Sequence, residues 1–226
     1  MQVDLGTISV TIGMPVYGGN MPTRTAASLF STAAACATSG VRCQFVMERG
    51  LVEWARDALL DDFLKGDTDK LFWIDSDMTW EPGEFLRLLA LSTVRDVVCA
   101  AYPSKSDRLA FSVDMPLEVT RDELGLVEIN GIGLGFTAMS RKVCAEVASG
   151  APRVVDTLNG REMASVFRVD AVDGKRRSED MAFFADIRAL GHKVWLDPTI
   201  TPGHVGEKQW TGSIMDAFTK KETTDG

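Results

Sequence analysis

Leu71-Phe72-Trp73-Ile74, followed at once by Asp75-Ser76-Asp77, constrains the fold more than any other stretch of the chain. Four consecutive apolar side chains leave no polar face. A strand built from them is covered on both sides, as the central strands of parallel sheets are. In open α/β sheets, ligands bind outside the carboxyl ends of the strands, and this strand ends in two carboxylates. Residues two apart in extended chain point the same way, and two carboxylates so placed repel each other unless a cation joins them. Mn²⁺ or Mg²⁺ is the natural occupant, because each takes oxygen ligands and bridges to phosphate. A plain polar turn that closes the strand is the alternative reading of the same residues.

The flanking pattern predicts the sheet this strand would sit in. Ile8–Met14 is β-branched and apolar and is followed by Pro15 and two glycines, so it reads as a first strand ending in a loop. Thr23–Thr38 is Ala-rich and helical, and Cys43–Met47 is a second strand. Leu51–Leu64 carries apolar residues at helical spacing, Pro82 opens a helix to Ser92, and Val97–Ala101 is the next strand. Strands alternating with helices predict an α/β fold with a mixed, mainly parallel central sheet flanked by helices. The second half is less regular. Phe111–Ile129 and Ala164–Val172 read as short strands, and Gly135–Ser140 as a strand leading into helix Lys142–Ala148. Ser178–Leu190 reads as a helix followed by strand Val194–Asp197, and the polar end Lys220–Gly226 as a frayed tail. One domain over 1–226 is expected, with a nucleotide-binding half (1–105), an acceptor and catalytic half (106–212) and a tail (213–226).

Composition narrows the class. A net charge of −8 disfavours broad, nonspecific binding to nucleic acid or anionic membrane. The longest apolar runs are far too short to span a bilayer, and Met1–Gly6 has no secretory pattern. Cys36, Cys43, Cys99 and Cys144 lack metal-type spacing and read as reduced thiols of a cytoplasmic protein.

Two later segments carry chemistry. Ser178 can cap the helix that opens Glu179-Asp180, and acids in a first turn favour the helix dipole. Asp180, Phe184 and Ile187 sit at i, i+4 and i+7, which turns Asp180 inward. An inward carboxylate needs a partner or a task, and general base is one such task. His204, between Gly203 and Gly206 in a loop, reads as a metal ligand or a surface residue. His192, just past a helix end, reads as a C-terminal cation or a solvated turn residue.

Taken in order, these pieces resemble the GT-A glycosyltransferases, especially the inverting family-two-like group and its small bacterial and phage members. The resemblance runs from Ile8 to about Gly206. Met14-Pro15-Val16-Tyr17 is similar to the family's first strand end, whose loop packs on the nucleotide base. Trp73-Ile74-Asp75-Ser76-Asp77-Met78 resembles its Asp-x-Asp site, and Val97–Lys105 the next strand with its donor-side loop. Gly133–Arg141 resembles the strand beneath the acceptor, Glu179-Asp180 the motif holding the catalytic base, and Gly203-His204-Val205-Gly206 the late histidine of the metal site. Many relatives carry an Asp after the second strand. Met47-Glu48-Arg49-Gly50 stands there in this chain, so Glu48 takes that role.

The resemblance implies a nucleotide-sugar donor, a UDP-sugar being favoured, and a divalent metal held by Asp75, Asp77 and His204. Pro15, Tyr17, Glu48, Arg49, Ser76 and Asp75 would contact the donor. Lys105 and Arg56 are candidate cations for its diphosphate, although Arg56 on its helix face reads equally as a surface residue. Asp180, beside Glu179, would deprotonate the acceptor hydroxyl, with inversion at the anomeric carbon. Gly133 and Gly135 would lie beside the acceptor. Lys175-Arg176-Arg177, directly before Glu179, is a solvated charge run or a patch for an anionic acceptor. For a phage-encoded enzyme working in the host cytoplasm, that acceptor would be DNA bearing a hydroxymethylated pyrimidine; a saccharide or a protein is the alternative. Two other functions fit parts of the pattern. Phe72–Thr79 also resembles the Asp-x-Asp-x-Thr strand of haloacid-dehalogenase-type phosphatases, with Asp75 as nucleophile. A catalytically silent nucleotide-sugar-binding module on the same fold is the other.

Overall fold

A computed structural model describes residues 3–157 and 159–216. The tail expected over Lys220–Gly226 lies outside the described residues. The first half contains β1 (Ser9–Pro15), α1 (Thr23–Ser39), β2 (Arg42–Glu48), α2 (Val52–Lys65), β3 (Lys70–Ile74), β4 (Met78–Thr79), α3 (Pro82–Leu91) and β5 (Val97–Cys99). The chain continues with β6 (Val113–Asp114), β7 (Val127–Ile129), β8 (Gly131–Ile132), β9 (Phe136–Ser140), α4 (Arg141–Gly150), β10 (Arg153–Val155), β11 (Glu162–Ala164), β12 (Asp170–Val172) and β13 (Lys175–Arg177). It closes with α5 (Glu179–Ala189), β14 (Val194–Leu196), β15 (Gly203–Val205) and β16 (Gln209–Trp210).

Seven strands form the central sheet in the order β2-β1-β3-β9-β5-β14-β7. β2, β1, β3, β5 and β14 run one way; β9 and β7 run against them. The sheet is therefore mixed and mainly parallel, as expected. β3 lies inside it, and its alternate side chains feed two cores. Leu71 and Trp73 pack with Leu59, Phe63, Val143 and Phe183 on the side of α2, α4 and α5. Phe72 and Ile74 pack with Leu29, Phe85 and Leu88 on the side of α1 and α3. Phe72 stacks on Phe85 at 4.4 Å between centroids, with Phe136 edge-on at 5.0 Å.

Local chemistry explains the helix ends. α1 stops where Gly40 takes a φ of +73°, a left-handed geometry that glycine adopts without strain. α3 opens on a capping box between Glu81 and Glu84 with Pro82 at its first position. Ser178 Oγ accepts the Met181 amide at the start of α5.

The second half departs from the expectation in its small sheets. The stretch expected as irregular strand over Phe111–Ile129 resolves into β6, which pairs with β8, and β7, at the edge of the main sheet. Hairpins β10–β11 and β12–β13 and the three-stranded sheet β16-β15-β4 were not expected. Lys175–Arg177, expected as a loop, is strand β13. All four cysteines are free thiols, three of them buried. Among the described residues no helix is long and apolar enough to cross a membrane.

Candidate active site

A cleft of about 230 Å³ opens outside the carboxyl ends of β1 and β3. Pro15 ends β1, and the chain then turns through Tyr17–Gly19, where Gly18 and Gly19 take φ values of +67° and +74°. This turn leaves Tyr17 81% exposed on the cleft's edge. Asp75, Ser76 and Asp77 enter from the end of β3, Val52 and Arg56 from α2, Glu179 and Asp180 from the start of α5, and His204 from β15.

Arg56 is the centre of this arrangement, and it is neither a surface residue nor an open cation for a ligand. Its side chain is 2% exposed. Nη2 donates to Asp75 Oδ1 at 3.0 Å, and Nη1 to Glu179 Oε1 at 3.1 Å and to Asp180 Oδ1. Burial opposes the guanidinium's charge, but Asp180, Asp75 and Glu179 outweigh it and hold the pKa above its usual value. Burial pushes the Asp180 carboxyl up to about 6; Arg56 pulls it down, while Asp75 and Glu179 add to the rise. Asp180 is thus largely ionised at neutral pH and still basic enough to accept a proton.

Asp77 sits in a separate subcluster. Asp75 and Asp77 do not continue the strand as extended chain; a turn, with the Met78 amide bonded to the Asp75 carbonyl at 3.2 Å, sends their carboxylates to different partners. Asp77 Oδ2 meets Lys105 Nζ, and Asp77 Oδ1 lies 3.4 Å from His204 Nε2. Burial raises the Asp77 pKa, but His204 and Lys105 overcome it and leave the carboxyl below its usual value. His204 comes from far along the chain through strand pairing. β15 runs antiparallel to β4 with His204 opposite Met78, and the Val205 amide bonds the Asp77 carbonyl at 2.7 Å. Gly203 permits that approach, since a Cβ there would fall 2.4 Å from Thr79 Oγ1.

The donor set at Asp77 fits a divalent cation. His204 Nδ1 lies 3.0 Å from the Pro103 carbonyl, which can only accept, so Nδ1 donates that bond and the other ring nitrogen, Nε2, is the one turned to Asp77. An imidazole nitrogen and a carboxylate oxygen are both ligand types that a divalent cation accepts, and a second-side hydrogen bond of the kind Nδ1 makes is what orients a metal-ligating histidine. Among the described residues no group of three or more His, Cys, Asp or Glu side chains is placed to hold a metal. Of the expected set of Asp75, Asp77 and His204, Asp77 and His204 lie together, while Asp75 Oδ1 is engaged by Arg56. Ions of the Mg²⁺ type are often held by one or two carboxylates together with substrate phosphates. The charge balance points the same way. Four carboxylates (Asp75, Asp77, Glu179, Asp180) face two fixed cations (Arg56, Lys105), which leaves two negative charges in the cleft.

Sequence reasoning gave no role to Tyr102, which forms part of the floor. Its hydroxyl accepts the Gly135 amide at 3.1 Å, and its ring meets the His204 ring edge-on at 5.3 Å. Burial, with Asp75 and Asp180 nearby, holds the phenol well above its usual pKa and so protonated. The position right after β5 was the available signal, since ligands gather at strand carboxyl ends. Gly133 and Gly135, expected as close-approach or turn glycines beside an acceptor, do make close approaches, to Tyr102 and Asp75. A Cβ at Gly133 would lie 2.5 Å from the Tyr102 hydroxyl, and one at Gly135 would lie 2.6 Å from Asp75 Oδ2.

Other expected residues lie elsewhere. Glu48 pairs with Arg161 at 3.7 Å, and burial and Asp62 raise its pKa, so its carboxylate belongs to the contact between α2 and the β10–β11 hairpin. The exposed Arg49 lays its guanidinium over Gly19, beside the Tyr17 turn. Arg177 is tied to Asp170 by two bonds of 2.9 and 2.6 Å, while Lys175 and Arg176 are exposed. His192 is not a solvated turn residue; its ring is 11% exposed and bonds Glu146 at 2.5 Å.

No family model matches the chain, and no curated protein matches it. Solved structures do. The chain is similar to A197 from STIV, with a TM-score of 0.58 and 20% identity over 92% of this chain and 90% of that one. It is also similar to GalNAc-T7, whose crystal structure holds UDP, GalNAc and Mn²⁺, with a TM-score of 0.51 and 10% identity over 88% of this chain and 44% of that one. These likenesses show the fold: a GT-A, glycosyltransferase-type architecture. They do not single out the family-two-like group.

Proposed function

We propose that the chain is a metal-dependent glycosyltransferase that moves a sugar from a nucleotide-diphosphate donor to an acceptor hydroxyl. One observation carries this reading. A hard-ligand pair (Asp77, His204) and a buried, Arg-bound carboxylate of raised pKa (Asp180) meet in one cleft at the carboxyl ends of parallel strands. The likeness to GalNAc-T7, solved with UDP and Mn²⁺, favours a UDP-sugar and Mn²⁺.

The mechanism follows from charge. Cleavage of the sugar–phosphate bond builds negative charge on the leaving diphosphate; Asp77 and His204 are the residues that would hold a divalent metal, which would supply offsetting positive charge. Lys105, on a loop beside them, can add a second cation. The exposed Tyr17 ring offers a stacking surface for the base, with Pro15 and Ser76 lining the path to it. Asp180 takes the proton of the acceptor hydroxyl as that oxygen bonds the anomeric carbon and the diphosphate departs. Arg56 orients Asp180 and keeps it from being neutralised. Attack from the face opposite the leaving group inverts configuration. The phosphatase alternative requires Asp75 as a free nucleophile, and its Oδ1 is occupied by Arg56.

The test is calorimetric. Wild-type protein should bind a UDP-sugar tightly only with Mn²⁺, and Asp77→Asn should lose that binding while keeping the fold. Unchanged affinity of the variant for the metal–donor complex would remove Asp77 from the site. Hydrolysis of simple phosphate esters would favour the phosphatase, and donor binding without turnover across many acceptors would favour a silent module. For the acceptor, Lys175 and Arg176 are exposed and would be the cations met by hydroxymethylpyrimidine DNA, while a second surface points to a different class.

A further inference from the structure

α2 separates two cavities. Val52 and Arg56, at i and i+4, face the active-site cleft, while Trp54 and Asp57, at i and i+3, face a second cavity of about 270 Å³. Its volume is near the lower end of the range for small-ligand sites, about 300–1,000 Å³. The opposite wall is the β10–β11 hairpin, which contributes Val154, Val155 and Met163, with Ser165 just beyond.

This wall is built rather than incidental. Arg161, in the hairpin, donates to the Ala58 carbonyl at 2.7 Å and to Asp61 and Asp62 at 2.8 and 2.7 Å, which clamps the hairpin onto α2. Asp57, 4% exposed, accepts the Val166 and Phe167 amides at 2.8 and 3.0 Å. Phe167 in turn stacks on Phe183 at 4.5 Å and lies 5.8 Å beneath the Arg56 guanidinium. The second cavity is thereby rigidly joined to the group that orients Asp180.

Its chemistry selects a ligand class. Trp54 is 58% exposed and Val155 59%, apolar surface left open to solvent at the mouth of this cavity. Around that floor stand Asp156, Thr157 and Ser165, with the buried Asp57 behind them. An aromatic face with polar acceptors at its rim suits a ring that is apolar on one side and hydroxyl-bearing at its edge. The acidic residues of this wall, Asp57 and Asp156, with Glu53 on the same helix, disfavour a polyanion.

We propose that this cavity is an acceptor subsite for a neutral saccharide, with one sugar ring stacked on Trp54 and the next extending over α2 toward Asp180. Its role in transfer rests on the glycosyltransferase reading above; its capacity to bind a saccharide does not. Two measurements separate them. Saturation-transfer NMR with neutral disaccharides (lactose, maltose, cellobiose, diacetylchitobiose), without metal or donor, should detect binding to the wild type. Trp54→Ala should weaken it about tenfold or more, and Trp54→Phe should restore most of it. With Mn²⁺ and UDP-sugars present, the acceptor KM of Trp54→Ala should rise by a similar factor while its metal–donor affinity stays at the wild-type value. Saccharide binding in a protein that binds no donor would overturn the transferase reading and leave the subsite standing. The subsite falls if no disaccharide of the panel binds, or if binding is indifferent to Trp54. It falls equally if sugar is transferred to hydroxymethylpyrimidine DNA with dependence on Lys175 and Arg176 and none on Trp54.

Discussion

Replacing Arg56 with glutamine should be the most informative single change in this molecule. The substitution removes the one buried cation from among Asp75, Glu179 and Asp180, whose oxygens lie at up to 3.1 Å from its terminal nitrogens. Breaking a buried ion pair by deleting one partner costs about 3–5 kcal/mol, because the remaining charge is left uncompensated. For a chain of this size each kcal/mol lowers Tm by about 2–4 °C, so the expected loss is roughly 6–20 °C at neutral pH. The sign of the pH dependence follows from Asp180. Its carboxyl stands at about 6 while Arg56 pulls it down, so without Arg56 it protonates at higher pH still. Acidification therefore neutralises part of the orphaned charge, and the deficit relative to wild type should shrink from pH 8 to pH 5. Arg56→Lys, which keeps the charge but cannot span three acids with one ammonium, should fall between. Scanning calorimetry across that pH range checks the prediction. A deficit below about 3 °C, or one of equal size at pH 5 and pH 8, would refute the idea that Arg56 is the counter-ion of this cluster.

Three further outcomes are expected. Asp180→Asn should keep metal–donor affinity and lose transfer by about 100-fold or more. A carboxyl raised to about 6 in the fold, from 3.8 in the open chain, stabilises the fold fully only below the lower value and loses that contribution as pH climbs through the higher one, so the variant's Tm should gain on wild type between pH 4 and pH 7. Gly135→Ala would place its Cβ 2.6 Å from Asp75 Oδ2 and 2.8 Å from the Tyr102 hydroxyl, and overpacking of this kind costs about 1–3 kcal/mol. Urea titration should register that loss, whereas Gly83→Ala, with nothing within 4 Å, should be neutral or stabilising. Lys105→Ala should bind Mn²⁺ alone up to about fivefold more tightly by calorimetry, since an ammonium no longer competes for Asp77, and weaker binding would show that Lys105 assists the metal instead.

What could be read in advance was local. Leu71–Ile74 is apolar throughout, so a buried, central strand there follows from hydropathy alone. The Ser178 cap and the i, i+4, i+7 run place Asp180 on the inward face of α5 before any tertiary contact is known. What escaped depends on pairings between distant segments. Arg56 lies among Glu53, Asp57, Asp61 and Asp62, a pattern that looks like a solvated face; only the arrival of α5 and the β10–β11 hairpin buries it. The β15–β4 register that brings His204 to Asp77 links segments over a hundred residues apart, and no local signal carries it. The β12–β13 hairpin did announce itself, since Asp173-Gly174 is a two-residue turn with φ values of 50° and 74°, but the charges of Lys175–Arg177 masked the strand that follows. Glu48 was placed by analogy with an acidic residue of other chains, and Arg161 engages it instead.

The position of β9 bears on how the chain can be made and divided. β3 and β5 both come from the first half, yet they never touch as strands; β9, from the second half, lies between them and bonds both. A fragment ending near residue 105 would hold β5 with no partner on either side, since its other neighbour, β14, comes later still. The two halves of the chain are thus interleaved in one sheet and could not be exchanged between proteins as separate modules. Synthesis meets the same constraint. At about 5–20 residues per second, the interval between the emergence of Cys99 and of Ser140 lasts roughly 2–8 s. Throughout it, the apolar Val97–Cys99 strand and the facing edge of β3 both lack the partner that β9 later supplies, and unpaired apolar edges are where a nascent chain is open to aggregation.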